Sequence, residues 1–175
     1  VREYEGGSSL ITVAKSVGAG LYKAACLGKI DGELCDLRTV LTKDCEVEIL
    51  TFDDEEGRKT FNHTCSHVLA QAVKRLYPAA LLAIGPSVDG GFYYDFEFDF
   101  EFSDQHFEEI EAEMKKIAKE NLQLRHFVLS REEALKLMEE KNEPYKIELI
   151  HDLPEDAVLQ FYQQGDYVEL CAGPH

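Results

Sequence analysis

Hydrophobic residues repeat at helical spacing near the start of the chain and then alternate with charged residues. The first pattern predicts a helix that ends at residues 18–20, followed by a short helical turn over residues 21–26. Asp31 and Gly32 form a typical hairpin turn, and residues 45–50 alternate apolar and acidic side chains as a half-buried strand does. Short strands around one helix predict a compact β-grasp unit. The apolar positions of that helix are Leu10, Val13, Ala14 and Val17.

A charged stretch, Asp-Asp-Glu-Glu-Gly over residues 53–57, follows the β-grasp unit. Polar, glycine-containing stretches are typical of domain boundaries. We therefore expect one domain over residues 1–52 and a second over residues 53–175. The alternative is a solvated loop inside a single domain.

The second half of the chain predicts alternating helices and strands. Residues 61–76 carry an apolar stripe, with Thr60 as the expected N-cap and Pro78 as the end signal. Residues 92–102 alternate aromatic and acidic side chains, which is the clearest strand pattern in the chain.

The remaining segments complete a mixed pattern. Residues 107–117 predict a helix with Phe107 facing inward, residues 122–129 a weak strand, and Ser130 with Glu133 a capping box that opens a third helix. Residues 145–150 and 167–171 are expected to be short strands. The chain is thus predicted to be α+β, with a two-layer α/β second domain built on an antiparallel sheet.

Net charge narrows the range of functions. The 175 residues include 18 basic and 34 acidic side chains, which gives a net charge of −16. Such a surface repels phosphate backbones, which counts against an independent nucleic-acid-binding protein. It still allows a site that handles only the tip of an RNA held elsewhere.

The cysteines, the apolar runs and the N-terminus indicate which cellular compartment to expect. The five cysteines are scattered without a CxxC pair, so we expect a reducing compartment and no disulfide framework. No apolar run approaches the ~18 residues of a membrane span, and no export leader is visible. Because the chain does not begin with Met, we expect it to be a fragment of a longer protein.

Two pairs of residues carry the strongest chemical signal. His63 and His67 lie one helical turn apart, and Cys171 and His175 repeat the same spacing. Three imidazoles and one thiol match the ligands of a tetrahedral zinc site. The same groups can instead line a pocket that positions a water molecule and a polar substrate. Lys146 and Glu169 join this cluster only if their segments pack beside the histidine helix.

In combination, these motifs resemble the N-terminal editing domain of bacterial threonyl-tRNA synthetases, and the first fifty or so residues resemble the TGS domain, a ubiquitin-like β-grasp, that precedes it. The resemblance covers nearly the whole chain. The matching segments are His63-Thr64-Cys65-Ser66-His67, residues 69–78, Gly85-Pro86, residues 89–95, Tyr145-Lys146, residues 148–150, Leu170-Cys171 with Gly173-Pro174-His175, and, in the first fifty residues, Gly28-Lys29 and Asp31-Gly32-Glu33.

The resemblance implies hydrolysis of serine wrongly attached to threonine tRNA. It assigns the site to His63, His67, Lys146, Cys171 and His175. Glu169 stands where the family usually has Asp, and Ala172 where it often has Arg, so both positions depart from the family pattern.

The resemblance also implies partners and cofactors. The expected partner is the acceptor end of tRNA(Thr) carrying serine, in a cytoplasmic enzyme that is a homodimer and has no membrane segment. Editing itself is expected to need no metal, while ATP, magnesium and zinc serve a catalytic domain outside this chain. The related alanyl family uses the same His/Cys pattern for zinc.

Two alternatives to editing remain open. The first is a zinc-binding module, structural or hydrolytic, formed by His63, His67, Cys171 and His175. The second is a non-catalytic module in which the β-grasp unit binds RNA or a partner and the histidines are incidental.

Overall fold

The computed structural model describes all residues from Val1 to His175, and these form two compact units. The first unit comprises Val1–Thr64, Ser87–Gly91 and Pro174–His175, and the second comprises Cys65–Pro86 and Phe92–Gly173. Helices and small antiparallel sheets alternate along the chain, which confirms the α+β class. No helix has the length and apolar character needed to cross a membrane.

The first unit folds a three-stranded antiparallel sheet around one buried helix. Its elements in chain order are α1 (Leu10–Val17), α2 (Ala19–Ala24), β1 (Ala25–Ile30), β2 (Glu33–Cys35), β3 (Val47–Thr51) and the first turns of α3 (Glu55–Leu76). The sheet order is β2-β1-β3. The helix α1, the β1–β2 hairpin and the strand β3 were all predicted from the sequence.

Local sequence explains these elements. Asp31 and Gly32 have φ angles of 52° and 85°, so both adopt the left-handed conformation that a tight hairpin turn requires. Leu10 of α1 is fully buried, and a Cβ on Gly28 of β1 would overlap its side chain. The glycine therefore lets α1 lie close against the sheet.

The second unit contains the rest of α3 and a second three-stranded antiparallel sheet, with strand order β10-β9-β8. Its other elements are β4 (Leu81–Leu82), β7 (Phe96–Glu97), α4 (Asp104–Glu120), β8 (Leu124–Leu129), α5 (Arg131–Glu140), α6 (Pro144–Asp152), β9 (Leu159–Gln164) and β10 (Tyr167–Leu170). The short strands β5 (Ser87–Val88) and β6 (Gly91–Phe92) lie between β4 and β7 in the chain, where residues Ser87–Gly91 belong to the first unit. Side chains of α5 and α6 share one apolar core with β9 and β10, whose buried members include Met138, Ile150 and Phe161.

Three helical predictions need correction. Helix α3 begins at Glu55 instead of residue 61, so Thr60 lies inside the helix and does not cap it. The acidic stretch expected to be a linker supplies the first helical turn, where acidic side chains interact favourably with the positive end of the helix dipole.

Residues 145–150, expected to be a strand, lie in α6. Pro144 begins this helix, because the fixed φ angle of proline suits the first helical position. Phe107 points outward, with 61% of its surface exposed.

The long strand predicted over residues 92–102 is wrong. Only β6 and β7, of two residues each, form there. The alternation itself holds, since the aromatic residues are half-buried and the acidic ones exposed. The rings pack against one another, with centroids 4.8 Å apart for Tyr94 and Phe96 and 5.0 Å apart for Phe98 and Phe102. Ring packing therefore replaces the strand pairing that the pattern predicted. Strand β9 was not predicted from the sequence.

The close contact between the end of β3 and the first turn of α3 can be tested by a substitution at Gly57. It is buried in the first turn of α3, and a Cβ there would overlap the carbonyl of Thr51 at the end of β3. We expect Gly57→Ala to lower the free energy of unfolding by about 1–3 kcal/mol through this overlap. The matched control is Gly20→Ala, because Gly20 lies in a helix with open space around it. It should be neutral or stabilising, by up to about 1 kcal/mol. Urea unfolding measures both, and equal behaviour of the two variants would contradict the close approach.

Candidate active site

Helix α3 carries the first two candidate residues on one side. His63 and His67 are four residues apart, so their rings lie one turn from each other along the helix. His67 is buried, with 5% of its surface exposed, while His63 is half-buried. Because α3 is continuous from Glu55 to Leu76, the spacing between these rings is fixed by the helix itself.

A tight turn after β10 places Cys171. The backbone N–H of Gly173 donates to the Cys171 sulfur over 3.3 Å. Gly173 has a φ of 63°, and a Cβ there would overlap the hydroxyl of buried Tyr162. Glycine is therefore required twice at this position, for its conformation and for the lack of a side chain. This explains the glycine of the Cys171-Ala172-Gly173-Pro174-His175 motif.

His175 is held at both its ring and its backbone. Its Nδ1 lies 3.0 Å from the Thr64 hydroxyl, and its main-chain oxygen accepts from Arg38 over 2.8 Å. Arg38 is in turn bound to Asp36. The centroids of the His63 and His175 rings lie 4.3 Å apart. The imidazole of His175 is thus buried, with 5% exposure, and fixed in orientation.

The two pairs of candidate residues meet. His63, His67, Cys171 and His175 each offer one ligand atom, and these four atoms all lie within 4.8 Å of one another. In a tetrahedral zinc site the ligand atoms lie roughly 3.5 Å apart. Small side-chain movements would therefore let the four groups hold a metal ion. The same closeness suits a small polar cleft.

Lys146 of α6 and Glu169 of β10 form a buried ion pair, with 4% and 3% of their surfaces exposed. The other carboxylate oxygen of Glu169 accepts hydrogen bonds from two tyrosine hydroxyls, that of Tyr94 at 3.0 Å and that of Tyr167. Lys146 Nζ also donates to the Tyr94 oxygen over 3.2 Å. The carboxylate therefore has three donors, which offset the cost of removing its charge from water.

The strand period links this ion pair to the thiol. Glu169 and Cys171 are two residues apart, so their side chains point to the same face of the strand. Val168 and Leu170 lie on the opposite face and pack into the apolar core. Burial raises the pKa of the Cys171 thiol to about 11, an effect that Glu169 increases and that Gly173 N–H and Lys146 reduce. The thiol is thus neutral near pH 7 and is not a ready nucleophile.

Sequence reasoning missed the two tyrosines that hold Glu169. Tyr94 lies in a segment that was predicted to be a strand and that carries part of the family resemblance, but neither observation assigns it a role. Tyr167 is two residues before Glu169, where the strand period could have indicated it. Burial is the main cause that raises the pKa of both hydroxyls, and the charge of Glu169 is the second, so both hydroxyls stay protonated and act as donors.

Gly85 makes room for one of these tyrosines. A Cβ on Gly85 would overlap the Tyr94 ring, and the hydroxyl of fully buried Ser66 donates to the Gly85 carbonyl over 2.7 Å.

Comparison with known proteins places these residues in a family context. The family model for the TGS domain matches residues 1–51. Over all 175 residues the chain is 59% identical to a threonine–tRNA ligase of Clostridium acetobutylicum and 58% identical to one of Clostridium tetani. A threonine–tRNA ligase of Acetivibrio thermocellus is also 58% identical over the whole chain. The chain spans only 28%, 27% and 28% of the lengths of these relatives.

The protonation of Cys171 is directly measurable. Because burial raises its pKa to about 11, we expect alkylation of this thiol by iodoacetamide to be slow at pH 8 and to rise with pH along a curve centred near pH 11. Peptide mass spectrometry separates Cys171 from the other four cysteines, and a chelator keeps metal away from the thiol. The same cysteine in urea is the control, with a midpoint near 8.5. A native midpoint at or below that of the unfolded chain would contradict the burial.

Proposed function

Since the chain carries a TGS domain and is homologous along its whole length to the N-terminal region of bacterial threonine–tRNA ligases, we propose that it supplies the proofreading site of such an enzyme. The proposed reaction is hydrolysis of serine wrongly attached to tRNA(Thr). The observation that carries it is the meeting of three imidazoles and one thiol, His63, His67, His175 and Cys171.

We also propose a setting for this site. The chain would comprise a TGS domain over residues 1–52 and an editing domain over residues 53–175, within a cytoplasmic homodimer that attaches threonine to tRNA. ATP, magnesium and zinc would serve the synthetic domain outside this chain. The partner of the present chain would be the acceptor end of tRNA(Thr).

A proofreading site is needed because binding alone does not distinguish serine from threonine well enough. Serine is threonine without one methyl group, and a missing methyl weakens binding by only ~1–3 kcal/mol. A synthetic site therefore admits serine at an appreciable rate. A second site can apply the opposite selection, in which the additional methyl of threonine collides with a wall. We assign that wall to the neutral thiol of Cys171 and the ring of His63.

The proposed chemistry needs few groups, because an aminoacyl ester is already reactive. A water molecule attacks the ester carbonyl, the bond from that carbon to the ribose oxygen breaks, and a proton from the water passes to the ribose oxygen, so that the products are free serine and a tRNA with a free hydroxyl. The His175 imidazole, whose Nδ1 lies beside the Thr64 hydroxyl, would hold and polarise the water. The Lys146 ammonium would share in this and stabilise the negative charge that develops on the carbonyl oxygen.

The remaining groups would orient and bind. Glu169 already accepts hydrogen bonds from Lys146, Tyr94 and Tyr167, which supports a role in holding the ammonium of Lys146 in place. The Glu169 carboxylate is also buried, with 3% of the residue's surface exposed. His67 would bind the amine or hydroxyl of the serine.

The charge of the chain limits how it meets RNA. With a net charge of −16, its surface repels phosphate groups at long range. We therefore assign to this chain only the terminal aminoacyl end of the tRNA, while other parts of the enzyme hold the remainder.

The test uses the full-length enzyme and two histidine variants. We expect His175→Ala to slow hydrolysis of seryl-tRNA(Thr) by roughly 100-fold or more, because the water loses its positioning group. Attachment of threonine to tRNA should be unchanged. His151→Ala is the matched control, because His151 is exposed on α6, and it should hydrolyse at the normal rate. If the His175 variant matched the control, the proposal would fail.

A zinc site is the second candidate, and the 4.8 Å grouping of the four ligand atoms favours it. His63, His67, Cys171 and His175 would be the ligands, and the thiol would lose its proton on binding. Zinc there would polarise a bound water or stabilise the fold. The metal content of protein purified without chelator separates the candidates, because one tightly held zinc per chain supports this one and none removes it.

A further inference from the structure

His175 lies in a loop, and a loop alone does not fix a side chain. The strand β10 ends at Leu170, and residues 171–175 have no regular secondary structure. Groups on loops are held less precisely than groups on helices or strands unless other contacts support them. The imidazole of His175 is nevertheless buried, with 5% exposure. Contacts from elsewhere in the chain therefore have to hold this residue.

One such contact comes from Arg38, which lies in the part of the chain that matches the TGS domain. The backbone on both sides of Arg38 is fixed to the start of α1. The N–H groups of Leu10 and Ile11 donate to the carbonyls of Thr39 and Leu37 over 3.1 and 2.9 Å. Leu10 is fully buried. Arg38 therefore projects from a segment that cannot move without α1.

Asp36 holds the guanidinium of Arg38 in place. The backbone N–H of Arg38 donates to Asp36 Oδ1 over 2.8 Å, and Arg38 Nη2 donates to Asp36 Oδ2. The same Nη2 donates to the main-chain oxygen of His175 over 2.8 Å, across 137 positions of the sequence. A charged donor makes a stronger hydrogen bond than a neutral one. Asp36 thus keeps a strong donor directed at the backbone of His175.

The ring of His175 has a separate anchor. Its Nδ1 lies 3.0 Å from the hydroxyl of Thr64 in α3. Arg38, Thr64 and His175 all belong to the first unit, so both anchors are internal to that unit. One contact at the main chain and one at the ring leave the imidazole little freedom to rotate or shift.

We propose that Arg38 is a positioning residue for proofreading, so that the TGS domain contributes to the site by holding the backbone of His175. This role rests on the proposed proofreading function. Arg38 acts through His175, which in turn holds the water. A misplacement of about 1 Å can slow a reaction roughly 100-fold. Loss of the anchor should therefore lower the rate of the chemical step and leave the affinity for the tRNA unchanged.

The test measures kcat and KM for hydrolysis of seryl-tRNA(Thr) by the full-length enzyme. We expect Arg38→Met to lower kcat about fivefold or more, because the imidazole loses one of its two anchors, with KM changed by less than about twofold. Attachment of threonine to tRNA should be unchanged, which shows that the variant is folded. Lys23→Met is the matched control, because it removes the same charge from an exposed position of the TGS domain, and both constants should stay normal.

A conservative variant tests the contact itself. A single nitrogen of Arg38 bonds both Asp36 and His175. The ammonium of a lysine carries three hydrogens and can supply both bonds. We therefore expect Arg38→Lys to recover most of the kcat that Arg38→Met loses. A lysine variant as slow as the methionine variant would overturn the proposal.

His175→Ala, measured in parallel, distinguishes the two ways in which the role can fail. If His175→Ala hydrolyses seryl-tRNA(Thr) normally, proofreading by this site fails and the role of Arg38 fails with it. If His175→Ala is slow and Arg38→Met matches Lys23→Met, proofreading stands and Arg38 does not position the imidazole. A raised KM with normal kcat in Arg38→Met would also overturn the proposal, because it would indicate a contact with RNA. Loss of threonine attachment together with hydrolysis would overturn it too, because the effect would then be general.

Discussion

A carboxylate and an ammonium removed from water set the strongest constraint on this structure. Lys146 and Glu169 are 4% and 3% exposed, and burying either charge alone would cost several kcal/mol. Each of these two charges therefore has to be paired with the other in the folded second unit. The pair needs α6 to bring Lys146 to the edge strand β10, and it needs Tyr94 and Tyr167 to supply further donors to the carboxylate. The Lys146–Glu169 ion pair thus constrains α6, β10 and the segment that carries Tyr94 together.

The glycines around the candidate site serve the same arrangement. Gly85 leaves room for the ring of Tyr94, and Gly173 leaves room for the hydroxyl of Tyr162. Ser66 of α3 anchors the Gly85 carbonyl, so the helix that carries His67 also helps to seat Tyr94. The ion pair, the thiol and this helix are therefore positioned by one connected set of contacts within the second unit. Preorganised polar groups of this kind need little rearrangement when charge develops during a reaction.

The sequence predicted features that depend on local spacing. The helical spacing of His63 and His67 and the Asp31-Gly32 turn follow from backbone geometry over a few residues. The capping box of Ser130 and Glu133 follows in the same way, and the structure contains it. The nearness of Cys171 and His175 to the helix was expected only through paired motifs and resemblance.

Features that depend on distant packing could not be predicted in this way. Lys146 was placed on a strand, because apolar residues of α6 alternate over a short stretch, and a short apolar run does not distinguish strand from helix. Tyr94 gave no signal of its role, since its contact with Glu169 joins residues 75 positions apart.

Lys146 and Glu169 act as one buried, mutually dependent pair. A double-mutant cycle of Lys146→Met and Glu169→Gln, followed by urea unfolding of the 175-residue chain, measures that dependence most directly. We predict that each single variant lowers the free energy of unfolding by about 3–5 kcal/mol, because it leaves a buried partner unpaired. The double variant should cost less than the sum by about 2 kcal/mol or more. Losses that add to within ~0.5 kcal/mol would contradict the account.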